Sequence, residues 1–140
     1  MLKNGKELLL FCLGGTGYVG LELLWRGRSH GSMFLAGGSC FLLLGKQRER
    51  LRPLKLPVRG LICSGVITAV ELATGLVFNR DYRVWDYRDL PGNFRGQICL
   101  PFSLLWAPLG LGAMELYGIA NHNFARIASS LSRSSSRNPA

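Results

Sequence analysis

Apolar residues along this chain of 140 residues fall into four blocks that are separated by charged segments. A bilayer core of about 30 Å needs roughly 20 helical residues to cross it. The first, third and fourth blocks are long enough, whereas the second spans only if its flanking basic side chains reach the interface. A re-entrant or buried helix is the alternative for the second block. The four predicted spans are residues 8–25, 31–45, 60–78 and 97–117.

The charged segment 46–59 divides the chain into two helical hairpins, because Pro53 and Pro57 stop a continuous helix there. The predicted fold class is an all-α membrane protein with four transmembrane helices, occupying residues 1–128. Residues 129–140 are rich in Ser and Arg and have no apolar period. This tail is expected to be disordered.

The two hairpins share an order of parts. Each carries a glutamate, Glu22 or Glu71, towards the end of its first helix, followed by a turn that contains arginine and by a glycine near the start of the returning helix. Both halves begin on the same side of the membrane, so the order suggests a parallel internal repeat. Chance similarity between two short halves is the alternative.

The chain carries a formal net charge of +9, and its 17 Lys and Arg residues flank the apolar blocks. A nucleic-acid-binding protein would gather them on one face, so no nucleic acid partner is expected. With four spans, the N-terminus, segment 46–59 and the C-terminal tail share a side that holds eleven of these residues. The positive-inside rule therefore predicts that both termini are cytoplasmic and that the lipid bilayer surrounds the chain.

The four cysteines lie one in each apolar block, with no CxxC pair and no histidine at ligand spacing. They are predicted to be packing residues, without a metal site or a disulfide framework. Residues 15–20, GTGYVG, match GxGxxG, but no acid follows at the distance that a dinucleotide-binding unit requires. These glycines are better explained by close helix packing in lipid, so no cofactor is expected. The cysteines are Cys12, Cys40, Cys63 and Cys99.

Acidic residues within the apolar blocks need partners, because a charged side chain at the centre of a membrane helix costs roughly 2.5–3.5 kcal/mol. Glu22 has Arg26 one turn further on, which predicts a local ion pair. Glu71 is the deepest, and Ser64 and Thr68 share its helical face. One hypothesis makes Glu71, with Glu22, part of a proton or cation pathway. The alternative has Glu71 bound to an arginine or a backbone group of a neighbouring helix.

The segment 85–96 is a dense polar turn between the third and fourth predicted spans. Its aromatic side chains suit the headgroup region, its acids can pair with nearby arginines, and Asn93 can cap the helix that follows. A self-paired interfacial turn is one interpretation, and a binding site for a lipid or a partner protein is the other. The candidate binding residues are Trp85, Asp86, Tyr87, Asn93 and Arg95.

Two segments carry a resemblance to a known family. They are WDYRDLPGNFRGQICLPFSLLW, residues 85–106, and LWRGRSHGSMFLAGGSCFLLLG, residues 24–45. Both are similar to parts of the family named Putative ABC-transporter type IV, the CmpB-like permeases, which are small bacterial multi-pass membrane proteins. The resemblance implies a permease subunit in the bacterial cytoplasmic (inner) membrane, with a separate cytoplasmic ATPase as a candidate partner. It supplies no substrate and no catalytic residue.

The leading functional prediction is a permease-like component of a transport system, with Glu71 lining the path. The alternative is a non-transporting interaction protein that holds a lipid or a protein through residues 85–96. An enzyme is not expected, because the sequence contains no nucleophile and base in a recognisable pattern and no metal-ligand pattern. Four helices enclose little space, so a homo-oligomer or a membrane complex is expected.

Overall fold

The computed structural model describes residues 2–137 of the chain, so residues 138–140 of the predicted tail lie outside the described residues. Within this range the protein is all helical and contains no β-strand. A tight turn joins the first two helices, a short proline-containing turn joins the second and third, and a long segment, residues 79–99, joins the last two. The helices are α1 (Leu2–Arg26), α2 (Gly31–Leu51), α3 (Leu56–Phe78) and α4 (Leu100–Arg137).

Three of the helices, α1, α3 and α4, are long and apolar enough to cross a membrane. The second helix packs against each of the other three, as α4 does, and it is the most buried of α2, α3 and α4. It has seven buried residues, whereas α3 and α4 have three each. The charged residues among 46–50 at the end of α2 make this helix less apolar than its neighbours. Its crossing of the membrane stays a prediction.

Glycines allow the closest helix contacts. Gly14 and Gly15 of α1 pack against the side chains of Phe41 and Phe34 in α2. A side chain added at Gly17, in contrast, would meet no atom within 4 Å. The GTGYVG segment therefore lies on a helix and only partly serves the helix packing that the sequence predicts.

A small core joins the second hairpin to α2. Leu44, Cys63 and Met114 are fully buried together, one each from α2, α3 and α4. Gly110 of α4 lies against the side chains of Cys63 and Ile67, so that α3 and α4 approach each other closely at this level. The side-chain size at position 110 therefore sets the distance between these two helices.

Ion pairs tie the helices together at the end of the bundle that holds segment 46–59, here called the basic end. Lys46 lies 3.2 Å from Glu7, and Glu115 accepts from Arg48 at 3.1 Å and lies 3.5 Å from Arg59. These pairs connect all four helices. The opposite end, here called the loop end, carries residues 79–99.

The fourth helix differs from its prediction at both ends. It begins at Leu100, three residues after the predicted span starts, and it continues to Arg137. Residues 129–137, predicted to be disordered, are exposed helical turns in the structure. Serine hydroxyls in this stretch donate to carbonyl oxygens three residues earlier, a bond that a helical backbone accommodates. At 1.5 Å per residue the helix is about 57 Å long.

We predict that Gly110→Ala destabilises the bundle by about 1–3 kcal/mol, because the new methyl group would overlap the Cβ atom of Cys63. The measurement is the thermal unfolding midpoint of the purified protein in detergent. Gly65→Ala is the matched control, since a Cβ at that glycine meets nothing within 4 Å. Equal midpoints for the two variants would show that α3 and α4 do not pack as described.

Candidate functional site

A cavity of about 470 Å³ lies among the four helices. Its walls along most of its length are aliphatic and aromatic side chains, such as Phe41, Ile67 and Leu109. Polar and ionisable groups from α1, from α3 and from the segment 79–99 gather at its loop end. These groups are Tyr18, Glu22, Arg26, Glu71 and Tyr87.

Glu71 is held at the loop end of the cavity by two aromatic donors. The hydroxyl of Tyr87 donates to Glu71 Oε1 at 2.9 Å, and the indole N–H of Trp106 donates to Glu71 Oε2 at 2.9 Å. Each carboxylate oxygen thus has one neutral donor. These partners, from α4 and from the segment before it, differ from the arginine or backbone group that the sequence-based alternative named.

An aromatic row fixes the two donors. The ring of Tyr87 stacks on Phe102 with centroids 4.9 Å apart, and Phe102 lies 6.0 Å from Trp106. Trp106 in turn lies 6.2 Å from Tyr18 of α1. Burial raises the pKa of the Tyr87 hydroxyl, and the Glu71 carboxylate raises it further, so the hydroxyl remains a hydrogen-bond donor at neutral pH.

The predicted ion pair between Glu22 and Arg26 is present. Arg26 Nε donates to Glu22 Oε2 at 2.8 Å, and a second guanidinium nitrogen contacts the same oxygen. The remaining arm of the guanidinium donates to the carbonyl oxygen of Val84 at 3.1 Å. Arg26 therefore joins the end of α1 to the loop while it neutralises a carboxylate on the cavity wall.

Ser64 and Thr68 do not line the cavity with Glu71, although they share its helix. Ser64 donates to the carbonyl oxygen of Ser103 at 2.5 Å, and the hydroxyl of Thr68 lies 3.0 Å from the hydroxyl of Ser103. Both bonds cross to α4. The polar residues predicted to share one face of α3 thus have different surroundings. Ser64 and Thr68 join α3 to α4, whereas Glu71 faces the cavity.

Two buried amides hold the segment 79–99 in place. The side chain of Asn79 accepts from the N–H groups of Val84 and Trp85, and it donates to the carbonyl oxygen of Trp85 and to Gln97 Oε1. Gln97 Nε2 donates back to the carbonyl oxygen of Asn79 at 2.9 Å. Asn79 is fully buried and Gln97 is 3% exposed. Because the two amides form hydrogen bonds with each other and with backbone groups, they hold the segment in one conformation over the loop end of the cavity.

The five candidate loop residues divide into two groups. Trp85 and Tyr87 turn inwards and line the cavity, and the indole N–H of Trp85 donates to the carbonyl oxygen of Gln97 at 2.9 Å. Asp86 is exposed and accepts from Arg88, whose hydrogen bonds lower the pKa of this carboxyl.

Asn93 does not cap α4, as the sequence suggested, because α4 begins at Leu100. Its amide donates to the carbonyl oxygens of Arg88 and Leu90 instead, and its oxygen accepts from the N–H of Gly96. These bonds close the turn around residues 88–96. Arg95 is exposed, has a positive φ of 53° and lies over the ring of Phe94.

Metal binding and cysteine chemistry have less support in the described residues. Among residues 2–137 no group of three His, Cys, Asp or Glu side chains is placed to hold a metal ion. The four cysteines are free thiols on separate helices or at a helix start. The site offers a carboxylate, an ion pair and hydroxyl and indole donors, which suits binding of a ligand.

The sequence did not identify Trp106 as a partner of Glu71, and it placed the side chain of Tyr87 in the headgroup region of the membrane. A signal for both was present, because a buried Trp N–H or Tyr O–H requires a hydrogen-bond partner and Glu71 was the deepest unassigned acceptor. Pairing these residues needed the helix order and rotation, which a single sequence does not supply.

The fold and the site define a small multi-pass membrane protein with a polar-ended cavity between its helices. A family model matches residues 30–135, and the chain belongs to that family, described as Putative ABC-transporter type IV. It is thus a transport-related membrane protein. No curated protein and no solved structure matches the chain.

We predict that Asn79→Ala loosens the segment 79–99 and lowers stability by about 1–3 kcal/mol, because buried backbone groups lose their partners. Trypsin should then cleave at Arg83, Arg88 and Arg95 many times faster, as measured by mass spectrometry of digests in detergent. Asn123→Ala is the control, since Asn123 is exposed on α4. Unchanged cleavage rates would contradict the proposed role of the amide pair.

Proposed function

We propose that the protein is a permease-like component of a transport system, that the cavity holds the transported molecule, and that Glu71 is its main polar contact. The supporting observation is a carboxylate placed at one end of a cavity inside an apolar helix bundle. Such a group is costly in a membrane, and function is the usual reason for its presence. Family membership gives independent support for a transport-related role.

We further propose that a cytoplasmic ATPase meets the basic end. Segment 46–59 exposes basic side chains there, including Arg50, Arg52 and Lys55, and α4 extends beyond the other helices with further arginines. Their positive charge suits an acidic partner surface. The chain would work as a homo-oligomer or within a membrane complex, in a bacterial inner membrane with both termini cytoplasmic.

The permease proposal is favoured over the loop-binding alternative. Most of the candidate loop residues bond within the loop or face the cavity, as described for Trp85, Asp86, Tyr87 and Asn93. Loop groups that are paired with one another gain little from a new partner, whereas the Glu71 carboxylate has only two neutral donors and keeps acceptor positions for a ligand. The loop is better explained as the cover of the cavity and the support of Tyr87.

We predict that Glu71→Gln lowers transport about tenfold or more, because a substrate group loses a charged hydrogen-bond acceptor. The measurement is untargeted mass spectrometry of extracts and medium from cells with and without the protein. The distribution of solutes that depends on the protein should be restored by the wild-type chain and by the control Asp89→Asn, which neutralises an exposed acid. Full restoration by Glu71→Gln at equal protein levels would refute the assigned role of Glu71.

A second prediction concerns orientation. A membrane-impermeant maleimide added to intact cells should label Asn93→Cys, because Asn93 is exposed on the loop end. Ser132→Cys, on the exposed end of α4, should react only after the membrane is opened. The parent chain with its own four cysteines measures background. The reverse labelling pattern would place the termini outside.

A further inference from the structure

The cavity opens sideways between α1 and α4. Its lining includes exposed apolar residues on both of these helices: Leu21 is 48% exposed on α1, and Leu116 is 51% exposed on α4. α1 packs mainly on α2 and touches α4 less. In a bilayer, this opening faces the hydrocarbon chains of the lipids and not water.

Two glycines keep the opening clear. Gly17 of α1 and Gly112 of α4 both line the cavity, and a Cβ atom added at either would meet no atom within 4 Å. Neither glycine therefore serves close helix packing within the chain. Their missing side chains leave a gap that an alkyl chain can enter from the side.

The cavity is polar at one end and apolar along the rest of its walls, which is the distribution of polarity in a lipid molecule. Polar groups gather at the loop end, beside Glu71, and the walls towards the basic end are formed by residues such as Ile67, Val70 and Leu44. A hydrophilic solute would find few hydrogen-bond partners along these walls. A molecule with a polar head at one end and an apolar chain at the other matches both parts. The volume of about 470 Å³ lies within the range of about 300–1,000 Å³ for small-molecule pockets.

The charges at the polar end favour a cationic head. Glu22 and Glu71 line the cavity together with one guanidinium, that of Arg26, which is bound to Glu22. The bonds that Glu71 accepts come from the neutral donors Tyr87 and Trp106. A protonated amine would supply the missing counter-charge. A carboxylate or phosphate head would lie beside the Glu71 carboxylate, whose bonded partners carry no positive charge.

We infer that the cavity takes up an amphiphile with a single alkyl chain and a protonated amine head, which enters from the bilayer between α1 and α4. The amine binds at Glu71, and the chain lies along the apolar walls. This inference rests on the proposed function and names the class of molecule that it handles.

The test uses the purified full chain in phosphatidylcholine nanodiscs and a photoreactive probe, a twelve-carbon alkylamine with a diazirine at mid-chain. Labelled residues are mapped by mass spectrometry. Label should fall on cavity residues such as Phe41 and Leu109. Dodecylamine should compete at about tenfold lower concentration than dodecanoate, as expected for a buried charge pair.

Three variants sharpen the test. Gly17→Leu should reduce competable labelling about tenfold by filling the opening. Gly65→Leu should not, because Gly65 does not line the cavity, although a Cβ atom added there would also meet no atom within 4 Å. Glu71→Gln should remove the preference for the amine. Gly→Leu also favours the helix, so loss of labelling through unfolding is not expected.

The inference is overturned if competable label is absent from the cavity, if Gly17→Leu labels like the wild type, or if dodecanoate competes as well as dodecylamine. A change of oligomeric state in Gly17→Leu would instead assign the opening to a second copy of the chain. These results are distinct from failure of the proposed function. In that case Glu71→Gln transports normally, whatever the labelling experiment shows.

Discussion

The need to satisfy one carboxylate inside an apolar bundle governs much of this structure. Glu71 is bonded by Tyr87 from the loop and by Trp106 from α4. These two bonds fix how the loop returns over the bundle and which face α4 turns towards the cavity. The buried amides of Asn79 and Gln97 then hold the loop in the course that brings Tyr87 to this depth. The course of the loop thus follows from the need of the Glu71 carboxylate in α3 for hydrogen-bond donors.

The sequence predicted the helices well because membrane spans depend on composition and length, which are local properties. It also predicted the pair of Glu22 and Arg26, since four residues of spacing places both on one helix face. For the second block the sequence offered both a span and a buried helix and did not decide between them, because hydropathy reports exclusion from water and does not separate contact with lipid from contact with protein. The partners of Glu71 lie 16 and 35 residues away along the chain, so they depended on tertiary packing.

The helices of the bundle are held together unequally. α2, α3 and α4 share a buried core and two arginines that converge on Glu115. α1 is fastened along α2 by glycine contacts, at one end by Lys46 and at the other by Arg26. Its side towards α4 carries the opening of the cavity. A small displacement of α1 therefore changes access to Glu71 without disturbing the core.

Pro108 of α4 borders the cavity, and as a proline within a helix it removes a backbone hydrogen bond and makes bending at this level easier. From there to Arg137 the helix extends about 44 Å. A bend of about 10° at Pro108 would displace the far tip by about 8 Å on this length. The fourth helix therefore has the proportions of a lever arm: a slight bend beside the cavity would become a large movement at the surface of the protein.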